Sequence, residues 1–354
     1  MSAILNRSAG WARAALVVGI AWLWLIGGVV EAAVSVTNVR VAQRAGTKLV
    51  DVDYDVVGGT GAVTVAMMVS SDGGATWTVP VKTVTGAVGG VTAGLNLRMT
   101  WDAGADWNGQ YSAQTRVRVV MSDAPAGMVA VVGGTLPASS PLGAVAVGTF
   151  SIGKYEVTWG EFQPVRTWAA ANGYDIGSVG AGTGTNYPVT NVTWYQAVKW
   201  CNARSEKEGK TPVYKVSGVV YRTGNSVPTV DASANGYRLP TEAEWEWAAR
   251  GGLQSLGYTY SGSNTVGDVA WYSGNNAPTG TKVVGTKAGN EIGLYDMSGN
   301  VFEWCFDASG ASRVNRGGDW LNTASDCTVV YRNGNTPAIS FTSYGFRVAS
   351  SSVP

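Results

Sequence analysis

From Val34 to about Ser122 apolar and polar residues alternate with a period of two, as in Val34-Ser-Val-Thr-Asn-Val-Arg-Val and Leu49-Val-Asp-Val-Asp-Tyr-Asp-Val. Such a period belongs to strands with one face buried and one in water. Gly58-Gly59, Asp72-Gly73-Gly74 and Gly89-Gly90 interrupt the runs as turns. The pattern predicts a small antiparallel β-sandwich over residues 34–123.

Asp123-Ala-Pro-Ala-Gly127 is a short joint rich in breakers, and beyond it the period changes. Three helix starts carry the capping-box spacing, Thr158 to Glu161, Thr193 to Gln196 and Thr241 to Glu244. In that spacing a hydroxyl and a downstream carboxylate or amide satisfy orphan N–H groups reciprocally. After the second start, Trp194, Ala197, Val198 and Cys201 fall at i, i+3, i+4 and i+7, one buried helical face. Past Arg250 the chain is loop-rich, with short strands. Residues 127–354 are therefore expected to form an α+β domain, separate from the all-β sandwich of fibronectin or immunoglobulin type.

Composition narrows the chemistry. A chain of 354 residues with 45% hydrophobic content supports two folded units. Its 25 basic and 24 acidic residues leave a net charge of +1, without the basic excess that draws a protein to nucleic acid. There is no histidine, which excludes Ser-His-Asp triads and His-ligated metal sites. Residues 1–33 have the layout of a signal peptide: Arg7 and Arg13, an apolar stretch from Ala14 to Val30, then small residues that suit cleavage after Ala32. The alternative is an uncleaved anchor, and only then is the membrane a partner. Both place the protein outside the cytoplasm, in the periplasm, on the cell surface or secreted. The three cysteines, Cys201, Cys305 and Cys327, allow one disulfide and leave one thiol.

Six blocks in order resemble the formylglycine-generating enzyme, or sulfatase-modifying factor, family. They are Phe150 to Thr158, Val192 to Val198, Tyr237 to Gly252 (YRLPTEAEWEWAARGG), Gly293 to Trp304 (GLYDMSGNVFEW), Arg316-Gly-Gly318 and Gly345-Phe-Arg347. The resemblance implies a variant of the C-type lectin fold. It also implies an oxidase that uses two cysteines to hold copper(I), converting a sulfatase cysteine into formylglycine. Here the first of those cysteines falls on Asn322 and the second on Cys327; the family's active-site serine falls on Asp319, and a tryptophan on Phe302. An amide cannot replace a thiolate for a soft ion, so copper is not expected. A Cys305–Cys327 disulfide is one of three possible pairings. The family's calcium loop would be built here from Asp296, the carbonyls of Gly299 and Val301, and Glu303, and calcium is the cofactor expected. A second calcium site finds only Asp268. The same carboxylates also suit a role as caps for loop amides.

Two functional classes follow. One is a C-type-lectin-like binding module without oxidase activity, a pseudoenzyme that presents Asp319, Trp320, Leu321, Asn322, Thr323, Asp326, Tyr331, Asn333 and Phe341 to a protein or glycan ligand. Small polar and aromatic types of this kind suit adaptable recognition. A narrower form is the variable protein of a diversity-generating retroelement. The other class is a formylglycine-generating-type oxidoreductase acting on a protein cysteine through Cys327. A structural cell-envelope protein is the plainest alternative. Gly317, Gly318, Gly345, Phe346 and Arg347 are expected to be frame.

Overall fold

The computed structural model describes residues 34–351 apart from 59–61, 76, 78, 123 and 278. The expected leader and its cleavage site lie outside them. Among the described residues, no helix is long and apolar enough to cross a membrane.

The alternating segment forms two sheets. One has the order Ser35–Gln43, Leu49–Val57, Gly94–Asp102, Val84–Gly86; the other runs Gly89–Thr92, Ala62–Ser70, Arg116–Ser122. Alternation decides which residues face inward. Val52, Tyr54 and Val56 from the first sheet meet Val63, Val65, Met67 and Val69 from the second in one core, with Met99 and Trp101. Asp51 and Asp53 point the other way and are held by Arg44 and Arg98 at 2.8 and 2.7 Å. The turn that opens at Ser70 is closed by Ser70 Oγ, which donates to Asp72 Oδ1 and accepts from the Gly74 N–H at 2.8 Å.

All three expected capping boxes form, at the starts of helices Trp159–Ala171, Trp194–Lys207 and Glu242–Ala249. Trp194, Ala197, Val198 and Cys201 are fully buried, as their spacing requires. A four-stranded sheet in the order Tyr237–Arg238, Ala349–Ser351, Phe150–Gly153, Met128–Val131 brings the end of the chain back against the start of this region. A second sheet, Arg332–Asn335, Ser312–Arg316, Phe302–Ser309, Tyr344–Gly345, carries the loops of the candidate site. Its last pair is parallel, with Phe302 opposite Tyr344 and Glu303 opposite Gly345.

Helix Glu242–Ala249 is tied to this second sheet by charge. Arg316, fully buried, donates to Glu242 at 2.8 Å, to Glu246 at 2.9 Å and to the carbonyl of Val329 at 2.7 Å. Burying a guanidinium demands paired charge of this kind, although among the described residues the Arg316 Nε is left without a hydrogen-bond partner.

Candidate functional site

The segment after Arg316 turns through two left-handed glycines, Gly317 at φ 95° and Gly318 at φ 74°. Gly318 has a steric reason as well, since a Cβ there would lie 2.8 Å from Cys327 Sγ. The chain then makes an Asx turn. Asp319 Oδ1 accepts from the N–H of Leu321 at 2.9 Å, the N–H of Asn322 at 3.0 Å and the side-chain amide of Asn322 at 2.8 Å. Burial nevertheless pushes the Asp319 carboxyl above its ordinary range. Thr323 and Asp326 close a further capping box, which starts the single turn Ala324–Cys327.

Cys327 sits beneath this turn. It is fully buried, its thiol faces the Thr323 carbonyl at 3.6 Å, and burial raises its pKa to about 12. Asp319 and Asp326 raise it further, because a second negative charge beside them is unfavourable. A thiol so placed is a poor nucleophile at neutral pH. The Cys305–Cys327 disulfide is not formed, and all three cysteines are free. Cys305 packs instead in the apolar cluster with Trp245, Val314 and Val329. Asn322, where copper(I) would need a second thiolate, directs its amide into Asp319. These residues do not fit copper(I).

Glu303 is fully buried, with Oε1 accepting from Arg347 at 2.6 Å and Oε2 from Arg347 and the Trp245 indole, both at 2.7 Å. Both oxygens thus face nitrogen donors, which leaves a poor partner for a hard cation. Asp296, at φ 55°, accepts from the Gly285 N–H at 2.6 Å, and burial raises its pKa to about 6. Gly299 donates its N–H to the Gly317 carbonyl at 2.8 Å, and the Val301 N–H goes to Glu156 at 3.0 Å. Among the described residues no group of three or more His, Cys, Asp or Glu is arranged to hold a metal. Glu156, Asp296 and Glu303 form a buried carboxylate cluster that Arg347 neutralises. Asp268 lies elsewhere, accepting from Ser263 at 3.0 Å.

The outer face is aromatic. Phe302, where the family's tryptophan would stand, is buried under Tyr331 and Tyr344, with ring centroids 6.3 and 5.5 Å away. Phe341 packs edge-on against Tyr344 at 5.0 Å. Tyr344 Oη accepts from the side-chain amides of Asn335 at 2.6 Å and Asn333 at 3.3 Å. Leu321 and Phe341 are 53% and 45% exposed, which leaves two large apolar side chains facing water. Trp320 is half-buried, its indole N–H directed at the Thr342 carbonyl at 3.5 Å. Thr323 is exposed, whereas Asn322, Asp326, Tyr331 and Asn333 are partly exposed. Asp319 is the correction within this set, because it is 2% exposed and lies below the face.

Sequence reasoning passed over Glu156, Ser343, Tyr344 and Asn335. Glu156 is fully buried and accepts from Asn300 Nδ2 at 2.7 Å as well as from the Val301 N–H. Its only signal was its place in the block Phe150 to Thr158. Ser343 and Tyr344 gave none, because their roles depend on the parallel pairing with Phe302.

The fold and this face together define a C-type-lectin-like protein of the formylglycine-generating type. The chain belongs to the sulfatase-modifying factor enzyme 1-like domain family, whose model matches residues 114–352. It is 38% identical over 219 residues to chaperone protein LppX of Paenibacillus barcinonensis, covering 53% of this chain and 75% of that protein. It is 30% identical over 289 residues to the formylglycine-generating enzyme of Thermomonospora curvata, covering 63% of this chain and 93% of the enzyme. Among solved structures, Treponema denticola variable protein 1 matches with a TM-score of 0.53 and 32% identity, covering 63% of this chain and 94% of that one.

Proposed function

We propose that this chain is an exported binding module that has lost the copper-dependent oxidase chemistry of its family and holds a protein or glycan ligand on the face formed by Trp320, Leu321, Thr323, Tyr331, Asn333 and Phe341. The observation that carries the reading is the Asn322 side chain. It stands at the position of a copper(I) thiolate and is bound into Asp319 at 2.8 Å, while the remaining cysteine is a buried thiol. Exposed Leu321 and Phe341 beside partly exposed amides and tyrosines supply apolar contact and adaptable hydrogen bonding on one face. Similarity to a Treponema variable protein over most of that protein's length favours the same reading, with diversification of the face as its narrower form.

The test is a glycan array and a panel of purified cell-surface proteins, probed with the full chain and with a Leu321→Ser/Phe341→Ser variant. Binding by the parent that the variant loses, at unchanged melting temperature, supports the reading. A ligand bound equally by both places recognition elsewhere and overturns it.

A further inference from the structure

The edge strand Arg332–Asn335 is poorly suited to its role by its own sequence. It reads Arg-Asn-Gly-Asn, and Asn and Gly are depleted in sheets; it also pairs on one side only, with Ser312–Arg316. Side chains hold it from both faces. On one face Arg332 stands opposite Arg316 and both donate to Glu242, Arg332 at 2.9 and 2.8 Å. On the other face Asn333 and Asn335 donate to Tyr344 Oη at 3.3 and 2.6 Å. Tyr344 belongs to the opposite edge of the same four-stranded sheet, three strand spacings or about 14 Å away. Its side chain crosses the sheet beside Trp304, with ring centroids 5.4 Å apart, to reach the far edge. The loop 336–343 runs between these two edges and carries Phe341, whose ring lies against that of Tyr344 at 5.0 Å.

We propose that the Tyr344 hydroxyl is a clasp that closes the base of the loop 336–343: it holds Asn335, where the chain enters the loop, and so fixes Asn333 and Phe341 relative to each other. Tyr344 is buried, and therefore acts as a positioning residue beneath the recognition face. The loop backbone has two ties of its own, the Pro337 carbonyl accepting from the Trp194 N–H at 3.1 Å and the Phe341 carbonyl from the Asn191 N–H at 2.9 Å. Neither reaches the edge strand, whereas the hydroxyl does. A phenolic oxygen has two lone pairs, so one group serves both amides. Ordering the loop before a ligand arrives lowers the entropy cost of binding. The use of the clasp rests on the binding reading above, but the clasp itself is a property of the free protein and is measured without ligand.

The experiment is native-state hydrogen exchange on the full chain, resolved by residue, for the parent, Tyr344→Phe, Asn335→Ala and the double variant. Tyr344→Phe keeps the ring against Phe302, Trp304 and Phe341 and removes only the hydroxyl. The backbone amides of Asn335 and of Ile339, which bonds the Thr336 carbonyl at 3.1 Å, are expected to exchange about tenfold faster in it, the scale of the two hydrogen bonds lost. Amides inside helix Trp194–Lys207 should be unchanged. Asn335→Ala should speed Ile339 as well, and the double variant should be little faster than Tyr344→Phe, because both changes open the same clasp. An Ile339 amide that is unaffected by Tyr344→Phe, or already unprotected in the parent, overturns the proposal. So does a double variant whose acceleration is the product of the two single ones. Should Tyr344→Phe not fold, the response of Ile339 to Asn335→Ala decides the matter. A parent that binds no array ligand would overturn the binding reading and leave this result standing.

Discussion

Replacing Glu303 with glutamine keeps the shape of the side chain and removes one charge from the interior. In the parent both carboxylate oxygens accept charge-assisted bonds from Arg347, at 2.6 and 2.7 Å, and one also accepts from Trp245. The glutamine amide can offer only one acceptor oxygen, so its NH2 group must face a donor. Arg347 also holds the carbonyls of Gly153 and Tyr295, at 2.8 and 2.9 Å, so a shift of the guanidinium would spread the damage. Breaking one partner of a buried pair costs about 3–5 kcal/mol. For a domain of roughly 150–250 residues this lowers the melting temperature by about 6–20 °C. The assay is thermal unfolding followed by tryptophan fluorescence, run once with millimolar calcium and once with a chelator. If Glu303 serves Arg347, the loss is the same in both buffers. A loss seen in calcium and absent in chelator would make Glu303 a metal ligand and refute the assignment.

Four further outcomes are expected. Titration of the folded protein with a thiol reagent near pH 8 should find almost no reactive sulfur, because all three cysteines are free but buried and the Cys327 thiol is raised to about 12; unfolding should release all three. In chelator, Asp296 should contribute a pH dependence of defined sign: its folded pKa, about 6, lies above the ordinary aspartate value, so its contribution is fully favourable below the unfolded pKa and is lost as pH rises through about 6. Asp296→Asn should flatten that part of the stability curve between roughly pH 4 and 7, and an unchanged slope would remove Asp296 as its source. Leu321→Ala should change stability by no more than about 0.5 kcal/mol, as exposed substitutions do. Phe346→Ala, which empties a fully buried position between Phe162 and Trp200, should cost about 3–5 kcal/mol in urea unfolding.

What could be read in the sequence was local. Alternation around Val52, Tyr54 and Val56 and the spacings from Thr158, Thr193 and Thr241 each act within a few residues, and each appears in the structure as written. The pairing of Glu303 with Arg347 spans 44 residues and is created by two short parallel segments, Phe302–Glu303 and Tyr344–Gly345. Two-residue strands have no periodicity to detect. Tyr237–Arg238 escaped notice for the same reason. Asp319 was misplaced onto the surface because an aspartate in a polar loop looks alike whether its carboxylate meets a ligand or caps its own turn. Only the inward direction of its oxygens distinguishes the two.

On the proposed reading, Asn322 has taken the place of one of the two copper(I) thiolates of this family. The most direct measurement is a copper(I) titration of the reduced, folded protein against a competing chelator, followed by an aerobic assay with a sulfatase-type cysteine peptide. The expected result is no copper retained by the protein at chelator concentrations that a two-thiolate site withstands, and no aldehyde formed. Aldehyde production that requires both copper and Cys327, and disappears in Cys327→Ser, would contradict it.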